Sequence, residues 1–405
     1  MSDIAASQDR RRIVGIDLAR FAAIVGMMAA HLLSGLAADP NAMLISRLLN
    51  LAEGVIVAST AATTFAVLGG VSLVLLSRSM AGAPSWRIYL SICIRAVVIA
   101  LLGWALMQLD GPISVVLPYY GIAMIIAAAA LWLPSWAIGA IAAVLWVFGA
   151  AVNAQVRANL ATLPVDTTPG IIEQIARSAR DLLLTGHYPA ITWAAYMLTG
   201  ILIARLLLRA RRDDTLRRVS LRMWTVGLVI YLLLTVIGRV VRYRPGWFGL
   251  PTGLGDQALA GGRGAPRGTE FWMLLMPGAH TGSPADMLRT VAGACFLIGV
   301  LIMLFDTGHR RHGFAVEAVR CAGAAPLTIY SAHVIATAAV SRWRTQQFSA
   351  GDPLSPDLPL WNFLIQLLCV LAIGAVLAAL RRRGPLEAAL GVVSGSSRIK
   401  VAMTR

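Results

Sequence analysis

Apolar residues run in long blocks from one end of the chain to the other, and most polar residues fall in the gaps between blocks. Ten blocks have the length and make-up of spanning helices, near residues 13–36, 50–76, 88–108, 112–133, 136–155, 187–207, 223–242, 286–305, 318–341 and 360–380. A hydrocarbon layer about 30 Å thick takes roughly 20 apolar residues at a helical rise of about 1.5 Å each. The pattern predicts an all-α, polytopic membrane protein of about ten transmembrane helices. Residues 1–385 would form a single transmembrane domain, with 386–405 as a cytoplasmic tail that begins in an amphipathic segment. The first block is long, holds a charge pair and lacks a small-residue cleavage site, so it reads as a retained span and not as a signal peptide. Two gaps are long. Residues 156–186 contain IIEQIARSARDLL, where Ile171, Ile172, Ile175, Leu182 and Leu183 recur at helical spacing and predict a short interfacial helix. Residues 243–285 are rich in Gly and Pro, with Tyr243, Trp247, Phe248, Phe271 and Trp272 interspersed. Such rings suit the faces of sugars, and they suit an aromatic belt at the membrane surface equally well.

Composition narrows the class. Of 405 residues, 58% are hydrophobic and 13% charged, which excludes an ordinary soluble domain. The net charge of +16 does not point to nucleic acid, because the basic residues are scattered over short loops. All but one of the 35 are Arg, the exception being Lys400. With the N-terminus inside, the inner segments (Arg10–Arg12, Arg78, Arg87, the Arg205–Arg222 cluster, Arg310, Arg311, Arg320 and the stretch from Arg381) are strongly basic, and the outer loops are near balance. The positive-inside rule then puts both termini in the cytoplasm. The cysteines, Cys93, Cys295, Cys321 and Cys369, sit in apolar segments without CxxC spacing and read as small buried residues.

The most informative polar positions lie inside the first block, RIVGIDLARFAAIVGMMAAHLLSG. Arg20 and His31 are eleven residues apart, about 20° from alignment on a helix, and Asp17 precedes Arg20 by one turn on the same side. Ionisable groups at membrane depth usually face a bundle interior or a water-filled path. Two readings of the inner pair stand. Asp17 and Arg20 form an intrahelical ion pair, or Arg20 binds an anion such as phosphate through its planar fork, with Arg95 and Arg205 as further candidates at similar depth. Snorkelling side chains explain these arginines equally. Among six histidines, His309 and His312 read as solvated loop residues. His31, His333, His187 and His280 all fall on the outer side and could meet in one outward-facing cavity. For His333 the alternative is a helix-packing role with Tyr330 and Thr328, and for His187 an interfacial helix cap beside Tyr188. No pair has the i, i+4 spacing that builds a zinc site locally, so no metal is expected.

Several segments carry a family resemblance. The Arg20–His31 spacing is similar to a signature of acyltransferase-3 membrane proteins. The opening RIVGIDLARF more closely resembles the heparan-α-glucosaminide N-acetyltransferase-like proteins of the same transmembrane acyltransferase superfamily. FAVLGGVSLVLLSR (65–78), LPYYGIAM (117–124), YPAITWAAYMLTGILIARL (188–206), HTGSP (280–284) and APLTIYSAHV (325–334) fit the second group in the same order. The resemblance implies transfer of an acyl group, acetyl above all, from cytoplasmic acyl-CoA to a sugar or glycoconjugate on the far side of the membrane. It implies that His31 is the leading catalytic residue and that Arg20, with Asp17, Arg95 and Arg205, serves the donor. In family members of the human type the reactive histidine lies in the loop after the first helix. The corresponding loop here, SGLAADPNAMLISR, has none, so the role passes to His31, His280 or His333.

On this reading the CoA phosphates stay at the Arg-rich face and the pantetheine arm reaches up to His31. His31 then acts as general base or as a transient acyl carrier, and Tyr330 or His333 orients it or stabilises the oxyanion. His187, Tyr188, Trp247 and Trp272 are candidates for holding the acceptor. The expected partners are membrane lipid, acyl-CoA and an extracytoplasmic glycan or glycolipid. The expected place is the inner (plasma) membrane of a bacterium, with homo-oligomerisation left open. The competing class is a proton-coupled transporter or exporter, which the absence of an inverted repeat disfavours. A non-catalytic scaffold is the third.

Overall fold

The structure, a computed structural model, describes residues 13–34, 43–52, 59–161, 170–250, 253, 259, 262–266, 268–308, 312–349 and 357–395. Fifteen α-helices and no strand occur among them. In chain order they are α1 (Val14–Leu33), α2 (Leu44–Ala52), α3 (Thr60–Ser79), α4 (Ser85–Met107), α5 (Leu117–Ala129), α6 (Ser135–Ala161), α7 (Ile171–Arg180), α8 (Ala190–Arg212), α9 (Leu216–Tyr243), α10 (Phe271–Leu274), α11 (Pro284–Phe305), α12 (Phe314–Gly323), α13 (Pro326–Ser349), α14 (Leu358–Leu380) and α15 (Pro385–Val393). Eight of them, α1, α3, α4, α6, α8, α9, α11 and α14, are long and apolar enough to span a membrane. The protein is an all-α, multi-pass membrane protein.

Three of the ten predicted spans need correction. The span expected at 50–76 begins at Thr60, and Leu44–Ala52 is a separate short helix. The one expected at 112–133 contracts to the 13 residues of α5, with residues 110–116 in bends and irregular backbone. The one expected at 318–341 breaks into α12 and α13, bent by 77°. Pro326 explains the break: it has no N–H to continue α12, and its fixed φ suits the first turn of a new helix. Elsewhere α1 contracts to Val14–Leu33, α8 runs three residues later at its start and five at its end, and the largest extensions are at α6 and α9, which run on to Ala161 and begin at Leu216. The predicted interfacial helix forms as α7, with Ile171, Ile172 and Ile175 exposed along one side. The Gly/Pro-rich gap holds a 3-10 turn (Pro245–Phe248) and α10. His309 lies outside the described residues.

Burial sorts the spans into an inner and an outer set. The apolar windows of α1, α3, α8 and α11 are half or more buried, and those of α4, α6, α9 and α14 a third or less. The outer set presents rows of Val, Leu and Trp, such as Val226, Val229, Leu233 and Val236 on α9, as expected of surfaces that meet lipid. α1 packs against α3, α11, α12 and α14, and α3 against α8. Lipid gives little hydrophobic drive for helices to pair, so close approach through small residues matters more. Gly70 of α3 meets Gly200 of α8 in this way: a Cβ on either would collide with a carbonyl oxygen of the other helix, Met197 O or Val67 O. Gly323 at the end of α12 likewise sits against the carbonyl oxygen of Asp17.

Carboxylates from distant parts of the chain cap three helix starts. Asp306 accepts from Val14 N and Gly15 N at 2.7 Å each, at the start of α1. Asp357 accepts from Met43 N (3.0 Å) and Ser46 Oγ (2.5 Å) of α2. Glu387 of α15 accepts from Leu327 N (2.6 Å), Thr328 N (3.1 Å) and Thr328 Oγ1 (2.6 Å) of α13. Each satisfies amide donors that a helix leaves open and puts negative charge at its positive end. The Glu387 contact also docks α15, at the start of the expected tail, onto α13, and Ser91 Oγ of α4 donates to Ser394 O at its far end (2.8 Å).

Asp306→Ala should destabilise the detergent-solubilised protein by about 1–2 kcal/mol, with Asp306→Ser recovering part of it, in thermal unfolding. Gly70→Ala should cost about 1–3 kcal/mol by forcing α3 away from α8; an unchanged melting temperature would contradict the crossing described.

Candidate active site

Two Asp-x-x-Arg turns frame the site. Near the start of α1, Arg20 Nη1 donates to Asp17 Oδ1 (2.5 Å) and Nη2 to Ser72 Oγ of α3 (3.0 Å). Asp17 is buried, and Arg320 of α12 reaches its other oxygen at 3.5 Å while also bonding Glu317. The intrahelical ion pair is therefore present, and it extends to a second arginine. Near the start of α11, Arg289 Nη2 donates to Asp286 Oδ1 (3.2 Å) and to Ser59 Oγ (2.9 Å), and Ser59 Oγ donates to Asp286 Oδ1 (3.3 Å). All three residues are buried. The two clusters thus hold serines thirteen residues apart along α3, Ser59 at its N-cap and Ser72 in its second half.

His31 stands eleven residues beyond Arg20, about 16 Å along α1. It lines a cavity of about 150 Å³ together with Met27, Ser59, Ser114, Tyr188, His280 and Tyr330, among others. A volume of this order holds a group the size of a small ring, well short of a drug-sized pocket. His31 Nδ1 lies 3.1 Å from His333 Nε2, with the two rings nearly parallel. His333 Nδ1 lies 2.7 Å from Gln366 Oε1 of α14. The Gln366 amide nitrogen donates to Asn362 Oδ1 (2.9 Å) and Thr337 Oγ1 (3.3 Å). Tyr330 Oη accepts from Val116 N at 3.3 Å, so its own hydroxyl proton remains available to the cavity.

Two cavity residues hold left-handed backbone conformations, Ser59 at φ 60° and His280 at φ 57°. A non-glycine residue there costs about 1–3 kcal/mol and persists only where its surroundings hold it. The carbonyl of His280 accepts from Gly264 N (2.9 Å), and Asn153 Nδ2 in turn ties Gly264 O to α6 (2.7 Å). Burial disfavours the charged form of His280 and lowers its pKa, with Asp286 opposing the shift and Arg289 adding to it. Tyr188 stands edge-on to His280 and to Trp193, closing one wall with aromatic surface.

Of the sequence candidates, His31, His280, Tyr330 and Tyr188 come together around the cavity, with His333 directly behind His31. His187 is exposed and outside the lining, as are the exposed Trp247 and the half-buried Trp272. Arg20 and Asp17 meet each other. Arg95 lies on α4 beside the docked α15, 3.3 Å from Ser394 Oγ. Arg205 is tied to the α5–α6 turn through Leu131 O, Leu133 O and Ser135 Oγ. Among the described residues no group of three or more His, Cys, Asp and Glu is placed to hold a metal ion. Sequence reasoning did not find Ser59, Asp286, Arg289 and Gln366. Asp286 and Arg289 repeat the spacing of Asp17 and Arg20 inside an apolar run, a signal that was open to reading.

The model of the family described as heparan-alpha-glucosaminide N-acetyltransferase, catalytic, matches residues 12–240. No individual curated protein matches the chain. The family match spans helices α1 to α9, including His31, Ser59 and Tyr188 of the cavity, and covers more than half of the chain. The protein belongs to the heparan-α-glucosaminide N-acetyltransferase catalytic family.

Proposed function

We propose that this protein moves an acyl group, acetyl by the size of the cavity, from acyl-CoA on the cytoplasmic side to an amine or hydroxyl of an extracytoplasmic glycan or glycolipid. The bacterial inner membrane and a cell-envelope acceptor belong to the same proposal. Family membership supports acetyl transfer. The observation that carries the residue assignment is the placement of His31 on the cavity with one ring nitrogen engaged by His333 and the other left for chemistry.

The donor's phosphates lie at the Arg20 end, where Arg20, Arg320 and Arg95 concentrate, and its neutral pantetheine arm runs between helices toward His31. The acceptor enters past Tyr188 and His280. His31 Nε2 takes the proton of the acceptor N–H or O–H as that atom attacks the thioester carbonyl. The Tyr330 hydroxyl donates to the oxygen that becomes negative. Collapse breaks the C–S bond, and the His31 proton passes to the departing thiolate, leaving acylated acceptor and free CoA. A brief acyl-His31 species in place of direct attack gives the same balance. Positive charge is concentrated in the segments expected inside, which supports cytoplasmic termini and a cytoplasmic donor.

His31→Ala should lower the release of CoA from acetyl-CoA, with an amino sugar as acceptor, by about 10²–10⁴-fold. Tyr330→Phe should lower it by about 100-fold with the fold intact. Full activity in His31→Ala would overturn the assignment. Donor binding is separable. Asp17→Asn/Arg20→Gln removes both charges without stranding either one, and should weaken acetyl-CoA binding roughly tenfold or more. Unchanged affinity would place the donor elsewhere, and a folded wild type that binds no acyl-CoA would contradict the function proposed.

A further inference from the structure

Gln366 is an unusual end point for a buried histidine chain. It is the third member of a line that runs Gln366 Oε1, His333 Nδ1, His333 Nε2, His31 Nδ1, with spacings of 2.7 and 3.1 Å. His333 and Gln366 are buried, and Thr337 flanks them, its Oγ1 3.5 Å from His333 Nδ1. A carbonyl oxygen can only accept, so His333 must donate from Nδ1. A neutral imidazole carries one ring proton, which leaves His333 Nε2 as an acceptor. His31 must then donate from Nδ1, and its lone pair is left on Nε2. One amide therefore decides, through two rings, which nitrogen of His31 is the base. The amide oxygen faces His333, and the amide nitrogen faces Asn362 Oδ1 and Thr337 Oγ1.

We propose that Gln366 is a positioning residue that selects the tautomer of His31 through His333, resting on the acyl-transfer reading above for its consequence but not for its geometry. It touches no reacting atom. An amide does this without adding charge, whereas a carboxylate in its place would bring a negative charge to a site already far from water. The same logic governs a serine-hydrolase triad, where the group behind the histidine sets its tautomer and a wrong tautomer is costly even when geometry is kept.

The test reads protonation directly. Full-length protein with ¹⁵N-labelled histidine, in lipid nanodiscs, should show His31 and His333 both protonated at Nδ1 and bare at Nε2, with the His31 signals identified by their loss in His31→Ala. Gln366→Leu should mix the His31 tautomers and lower kcat by about 10–100-fold, leaving KM for acetyl-CoA unchanged. A wild-type His31 protonated at Nε2, or a Gln366→Leu protein with unchanged spectra and kcat, would overturn the proposal. The spectra decide the role of Gln366 even for a protein that transfers no acyl group, so failure here and failure of the proposed function are told apart.

Discussion

Every polar group at membrane depth has to find its partner inside the protein, and the two Asp-x-x-Arg turns show how this chain meets that demand. Each pairs opposite charges one helical turn apart, so neither charge is carried into the bundle alone. Each then uses a further guanidinium contact on a serine of the α3 segment, Ser72 in the second half of the helix and Ser59 at its N-cap. α3 is thereby fixed along its length between α1 and α11, and the crossing at Gly70 and Gly200 brings α8 against its other side. Removing Arg289 would leave Asp286 as a buried charge without its arginine, a far larger disturbance than the loss of the contact itself, whereas Asp17 keeps Arg320 when Arg20 is lost.

The cavity follows from that frame. α1 supplies His31, the start of α3 supplies Ser59, and the break between α12 and α13 gives α13 its own direction, on which Tyr330 and His333 lie one turn apart. Glu387 secures the new helix start, so the α15 segment has a structural part in aiming these side chains. The segment from Gly262 to Pro266 backs the wall at His280, through bonds from Gly262 N to Ala279 O and Gly264 N to His280 O. Strained backbone at Ser59 and His280 persists because the Asp286–Arg289 pair and the Gly264 contact hold both residues.

Much of this was legible in the chain. Most spans, the charge pair of α1 and the amphipathic α7 follow from hydropathy and helical spacing; of the four histidines that depth put on the outer side, His31 and His280 line the cavity, His333 stands behind His31, and His187 lies outside it. What escaped did so for physical reasons. A lone Gln in WNFLIQLLC leaves hydropathy almost untouched, and its importance depends on α14 being turned toward His333, which no local pattern encodes. Ser59 sits in an apolar stretch whose hydropathy does not mark the start of α3 at Thr60. The α12–α13 break carries its signal in Pro326, but the apolar run continues through it. Arg205 reads from sequence as an anion-binding candidate or a snorkelling side chain at the inner end of its helix, and only the fold reveals the three oxygens that engage it.

The central claim is that His31 offers an unprotonated nitrogen to a cavity that the acyl donor reaches. Diethyl pyrocarbonate acylates imidazole nitrogens only when they carry a free lone pair, so its reaction with the full-length protein, followed by mass spectrometry with and without acetyl-CoA, tests this most directly. The account predicts that His31 is modified, that His333 with both nitrogens engaged is not, and that acetyl-CoA slows labelling of His31 while leaving that of the exposed His187 unchanged. An unreactive His31, or labelling of His31 indifferent to acetyl-CoA, would contradict it.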